Sequence, residues 1–267
     1  METFLLSHEP VIRGAVFAVV LAAVAATEMV APRRALRAPK ALRWFNNLTL
    51  TAFNTLLLRL LFPILAVGMA ALTMERGWGL FNLVALPPWL EVVAAAMALD
   101  LAIYLQHVLF HKVPVLWRLH RMHHVDLDID VTTGARFHPV EIVLSMLLKF
   151  AVVVALGAPP LAVLIFELLL NGVAMFNHGN IALPLVVDRW LRLVVVTPDM
   201  HRVHHSAIRR ETDSNYGFNL PWWDRLFGTY RDQPERGHQG MTIGVEAYQQ
   251  PLRQSLWWML ALPFRRD

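Results

Sequence analysis

The chain has 267 residues, of which 56% are hydrophobic and only 16% charged, with 24 Lys and Arg against 20 Asp and Glu and a formal charge of +4. So apolar a composition excludes an ordinary soluble domain, and the absence of cysteine excludes disulfides, iron–sulfur clusters and thiolate chemistry, which leaves imidazole and carboxylate as the strong metal ligands. The cations are concentrated between apolar stretches and not in a base-reading pattern, which suits an anionic membrane surface and argues against a nucleic acid partner.

In chain order, Val11 to Ala31 is the first apolar run long enough to cross a hydrocarbon core, which takes roughly 20 helical residues. Arg33, Arg34, Arg37, Lys40 and Arg43 follow without an acid, so the positive-inside rule places this loop in the cytoplasm. Leu48 to Thr73 is a second candidate span, whose Arg59 and Pro63 are expected to face the protein interior. A third runs from Trp89 to about His111. Val140 to Leu156 and Pro159 to Phe176 form a hairpin around Gly157, which spans or dips into one leaflet and returns. Leu183 to Val196 is amphipathic, a polar and aromatic region follows, and Leu252 to Phe264 is the last apolar stretch. The expected fold is a single all-α domain over residues 1–267, an integral membrane bundle of four to five hydrophobic helices with a cytoplasmic histidine-rich cap.

Eight of the twelve histidines fall in three clusters: His107 and His111; His120, His123 and His124; His201, His204 and His205. Residues three or four apart share a helical face, so each cluster converges. On this topology every cluster lands at the cytoplasmic end, together with His178 as a ninth candidate. Unliganded clustered imidazoles would repel on protonation and bury unpaired N–H groups, and metal ligation removes both costs. A catalytic ion usually takes three or four protein ligands, so eight or nine imidazoles imply two ions. Imidazole alone does not choose among zinc, copper and iron.

Supporting polar residues are expected nearby. Asp100 and Tyr104 share one stripe of the third span with His107 and His111, and Asp100 is expected to accept the second N–H of a metal-bound imidazole. Glu167 and Asn171 line up with His178 in the same way on the hairpin's returning arm. Isolated histidines such as His8 and His238 read as ordinary polar residues.

The segments HVLFH (His107 to His111), HRMHH (His120 to His124), FHPVE (His138 to Glu141), FNHGN (Phe176 to Asn180) and HRVHHS (His201 to Ser206), with NYGFNLPWWDRLFGTY (Asn215 to Tyr230), resemble the fatty acid hydroxylase and sterol desaturase superfamily. The resemblance covers about residues 100–230. It implies two iron ions, with zinc as a substitute in purified protein, held by the nine histidines above, with His138 as a further candidate and Asp100, Tyr104 and Asn180 in support. It also implies an oxidoreductase using O2 and electrons from a ferredoxin or cytochrome b5 type donor to hydroxylate or desaturate an unactivated C–H bond of a lipid or sterol-like substrate. The setting would be a multi-pass membrane protein of the bacterial inner membrane with its site facing the cytoplasm. Two rival readings are an acyl-lipid desaturase of the neighbouring histidine-box class and a membrane metal-binding or transport protein. Only eight residues separate His111 from His120, and FHPVE matches the hydroxylase side, which disfavours the first. The gathering of the histidines at one face, and not along a path, disfavours the second.

Overall fold

Prolines and glycines mark where the apolar runs become separate helices. In the computed structural model, which describes residues 2–250 and 255–265, a short α1 (Glu2–Ser7) leads into α2 (Glu9–Val30), α3 (Lys40–Leu61), α4 (Ala66–Arg76) and α5 (Pro88–Lys112). Then come α6 (Pro114–His124), α7 (Pro139–Leu156) and α8 (Pro160–Asn177). The shorter α9 (Leu185–Leu191), α10 (Pro198–His204), α11 (Arg209–Thr212), α12 (Trp222–Leu226), α13 (Gly237–Gly240) and α14 (Leu256–Ala261) follow. The described residues contain isolated bridges but no strand, as expected of an all-α fold. Helices α5, α6, α7, α8 and α10 each begin on a proline at the first helical position, where the missing N–H costs nothing and φ is already helical.

Five stretches are long and apolar enough to cross a membrane: Glu9–Val30, Lys40–Asn82, Pro88–Lys112, Pro139–Leu156 and Pro160–Asn177. The chain is therefore a multi-pass integral membrane protein. Its core joins Ala66, Val67 and Ala70 of α4, Ala95 and Leu99 of α5, Val153 of α7 and Ala162, Val163 and Phe166 of α8. Small residues at these interfaces let the helix backbones approach, which is how apolar helices associate when lipid is as apolar as they are.

Both ends of the bundle are fixed by short contacts. At one end Gly79 lies so close to Gly157 that a Cβ on Gly79 would overlap its backbone, and Gly157 closes α7 with a left-handed φ of 68°. At the other end Arg33 N–H donates to the Asn180 carbonyl and Ala182 N–H to that of Ala31. The end of α2, the starts of α3 and α7, and the ends of α5 and α8 thus share one face, where all the clustered histidines lie.

The structure corrects several expectations. The second span breaks between α3 and α4, and Arg59 and Pro63 are exposed on its outer surface, because the buried face of α3 is the other one, bearing Arg43, Asn46, Asn47, Leu50 and Asn54. Glu167 does not point along α8 toward His178. It forms ion pairs with Lys149 of α7 and Arg13 of α2, and Arg13 also holds Glu9 at 2.7 Å, while Asn171 bonds back to the Glu167 carbonyl. The amphipathic segment is helical only over Leu185–Leu191. Of the stretch expected at Leu252 to Phe264, Leu256–Ala261 is helical and 252–254 lie outside the described residues.

Candidate metal centre

The histidines converge because α5, α6, α8 and α10 all end at one place. His107 and His111 close α5, His120, His123 and His124 close α6, His178 caps α8, and α10 with its C-cap carries His201, His204 and His205. They sort into two buried groups, His107, His111, His120, His124 and His204 in one and His123, His178, His201 and His205 in the other, with one nitrogen of each residue within 4.8 Å of the others in its group. Each HxxHH triplet is therefore split between the groups.

Hydrogen bonds at the far side of the rings fix which nitrogen faces inward. The Nδ1 atoms of His107, His204, His178 and His123 lie 2.7, 2.7, 2.6 and 3.2 Å from the carbonyls of Tyr216, Ser214, Ala174 and Arg136. A carbonyl only accepts, so these Nδ1 atoms carry the proton and leave Nε2 a bare lone pair. His120 Nδ1 meets Glu141 Oε1 at 2.7 Å, a carboxylate that orients the ring.

The inward nitrogens have no other use. Nε2 pairs face each other at 3.1 Å between His107 and His120, His123 and His178, and His178 and His201. Two lone pairs cannot bond each other, but nitrogens about 2.1 Å from one ion at a right angle stand roughly 3 Å apart. Nε2 of His111, His124, His204 and His205 is buried without a hydrogen-bond partner. Such orphaned acceptors fit a metal-binding set.

Electrostatics favour the neutral, ligating form. Burial first, and neighbouring imidazoles second, hold His123, His124, His201 and His205 well below the ordinary histidine range. Burial likewise brings His178 down to about 4 and His204 to about 3, against the opposing effect of their carbonyl partners.

The supporting residues expected from the sequence bond to groups other than the clustered imidazoles. Asp100 accepts from Asn219 and Trp223 at 2.8 Å each, tying the closing aromatic segment to α5, and its partners are these groups and not an imidazole. Tyr104 bonds Thr229 at 2.8 Å and stacks on Phe227, again holding that segment. Asn180 exchanges bonds with the main chain of Arg34. His138 stands outside both groups as the N-cap of α7, with Nδ1 accepting from Val140 N–H and Nε2 at 3.2 Å from the Leu260 carbonyl.

Other residues around the centre were not foreseen as parts of it. Glu141 was visible within FHPVE but not assigned to His120. Arg43, wholly buried on α3, reaches across to clamp Asp126 in a bidentate pair at 2.7 and 2.8 Å and also pairs with Asp130. Burial raises Asp126, but Arg43 and Arg136 outweigh it and hold its carboxyl down to about 2. Arg136 in turn donates to the Met122 carbonyl, so this network fixes the loop that leaves α6. The rings of Phe137 and Phe218 lie 4.6 Å from His123 and 4.9 Å from His107, and Trp117 lies 5.0 and 5.3 Å from His111 and His124.

The profile described as fatty acid hydroxylase matches residues 92–229, just over half of the chain. The chain belongs to the fatty acid hydroxylase family. It is 30% identical over 180 residues to the ornithine lipid hydroxylase OlsE of Rhizobium tropici, covering 67% of this chain and 52% of that one. It is 32% identical over 181 residues to the alkylglycerol monooxygenase of Homo sapiens, covering 65% and 38% respectively. A fatty acid hydroxylase, vlmA, from Lecanicillium sp is 29% identical over 165 residues, or 55% of this chain and 44% of that one. The chain thus spans about half the length, or less, of these relatives. No solved structure matches it significantly.

Proposed function

We propose that the chain hydroxylates an unactivated C–H bond of a membrane lipid at a two-iron centre, one ion in each histidine group, facing the cytoplasm of a bacterial inner membrane. The observation that carries this reading is the pair of buried groups whose inward nitrogens have no partner, set at the end of a bundle that spans the bilayer. The names of the relatives, which specify ornithine lipids, alkylglycerols and fatty acids, support a lipid as the substrate.

The overall conversion is R–H + O2 + 2 e− + 2 H+ → R–OH + H2O. His107, His111, His120, His124 and His204 would hold one ion and His123, His178, His201 and His205 the other, and the pair would supply oxygen activation. The chain's own part is to position and to exclude water. Phe137 and Phe218, 6.5 Å apart, give the histidines an apolar side continuous with the core between the spans, from which hydrocarbon arrives without water. Orienting one carbon there contributes about 7 to 11 kcal/mol of barrier reduction in well-aligned systems. On the opposite side Trp117 touches His111 and His124 under the exposed Arg209, 5.0 Å away, which suits electron delivery by a soluble ferredoxin or cytochrome b5 type donor.

The test is a lipid profile of cells with and without the protein, followed by turnover of the purified chain with a reduced donor under 18O2. One labelled oxygen in a hydroxylated lipid is expected. A lipid profile that does not change, or product oxygen derived from water, would refute the reading.

A further inference from the structure

A cavity of about 510 Å³ opens on the histidine-bearing face between the end of α2 and the start of α3, outside both histidine groups. Its lining includes Glu28, Arg33, Arg34, Lys40, Asn180 and Gln239. Three cations against one carboxylate do not by themselves make an anion site, because the partner of each charge decides what remains for a ligand.

Arg33 is engaged away from the cavity, since its guanidinium holds Asp199 at 3.0 to 3.2 Å, a carboxylate it shares with Arg202. Glu28 spends one oxygen on the N–H groups of Val131 and Asn180 at 2.7 and 2.9 Å, and its other oxygen stands 3.9 Å from Lys40. Lys40 keeps 41% of its side chain exposed and lies over the Trp44 ring at 5.1 Å. Arg34 donates to the His238 and Met241 carbonyls, which orient the guanidinium without cancelling its charge. Burial, with Arg37 and Arg33 adding, pushes Arg34 below the ordinary arginine range despite Asp128 nearby, so its charge is one that an anion would relieve.

We propose that this cavity binds an anionic group, a phosphate or carboxylate, with Arg34 and Lys40 supplying the counter-charge. A fixed arginine fork beside a mobile ammonium is a common way to hold such oxygens. Asn180 joins the cavity to the centre, because it lies two residues beyond His178 and its amide exchanges bonds with the Arg34 main chain at 3.0 and 2.8 Å. A lipid headgroup held here would stand beside the four-histidine group, at the end of the spans. That extension rests on the lipid-hydroxylase reading above, whereas the anion site itself does not.

The full chain in phosphatidylcholine nanodiscs is titrated with dihexanoyl phosphatidate and, separately, with inorganic phosphate, by calorimetry and by fluorescence against a Trp44→Phe control. Saturable binding of the short-chain lipid is expected, weakened roughly tenfold by Lys40→Gln and by Arg34→Gln, the scale of one charge-assisted hydrogen bond. Arg34→Lys should retain most of it, and Arg189→Gln, on an exposed arginine elsewhere, should leave it unchanged. Lipid binding without phosphate binding identifies a headgroup site, and equal, competing binding of phosphate identifies a free-anion site. Absence of saturation for both, or equal losses in Arg189→Gln and Lys40→Gln, overturns the proposal. Binding is read without metal turnover, so failure of the hydroxylase reading would leave this result standing.

Discussion

His123 and His124 are neighbours in the chain, yet their rings meet at 87° and belong to different histidine groups. Successive helical residues point about 100° apart, so the last turn of α6 feeds both groups at once. His123→Ala and His124→Ala should each remove about one of two bound metals, and the double variant about both. Elemental analysis of the purified variants checks this, and equal loss of both ions from either single change would favour one shared site.

Glu141 and Asp100 are both buried carboxylates, but only Glu141 touches an imidazole. Glu141→Gln should cost about 10- to 100-fold in metal affinity or activity, the usual effect of removing a carboxylate behind a ligating histidine. Asp100→Asn should instead destabilise by about 1–3 kcal/mol and loosen residues 215–230, since it weakens the bonds to Asn219 and Trp223. Competition with a chelator reads the first and hydrogen exchange the second. The reverse pattern would restore Asp100 as the partner of a ligand.

Removing Arg43 leaves Asp126 and Asp130 buried without their main counter-charge, so Arg43→Met should destabilise by about 3–5 kcal/mol. Arg43→Lys should rescue little, because a point ammonium cannot reproduce the bidentate clamp. Thermal unfolding in detergent measures both.

His238 gives a pH dependence away from the histidine groups. Burial, with Arg202, Arg33 and Arg192 adding and Asp199 opposing, brings it down to about 4. The unfolded chain then takes up the proton near 6.5 while the folded chain does not, so stability present above about pH 6.5 is lost as pH falls toward 4. The loss should approach about 3 kcal/mol and be absent in His238→Gln. A flat difference between the two proteins from pH 7 to 4.5 would contradict this.

Reporters fused near Lys40 and after Tyr230 should read the same, cytoplasmic side. The five-cation loop and the contacts between the ends of α2 and α8 support this expectation. Opposite readings would refute it.

The spans and the gathering of the histidines were legible in the sequence, because both follow from apolar length and from spacing along helices. The assignment of supporting residues was not. Angular alignment on α5 and α8 put Asp100 and Glu167 on the stripes of His107 and His178, but a stripe does not say what packs against it a turn or two away. There the closing segment claims Asp100, and α2 with α7 claims Glu167. The Arg43 clamp joins residues 83 positions apart, and no local pattern in the alternating Asp126, Asp128 and Asp130 names its partner. Glu141 needed only the start of α7 to be set against the end of α6, which is a tertiary fact.

The charges between α2, α7 and α8 bear on how the chain enters the bilayer. Glu9 and Arg13 stand one turn apart on α2, so these two charges are matched within the helix itself. Lys149 and Glu167 likewise offset each other within the helical hairpin, which lowers the cost of placing either in lipid. Only when α2 meets the hairpin does Arg13 reach Glu167. The contact fastens α2 to the arm that delivers His178.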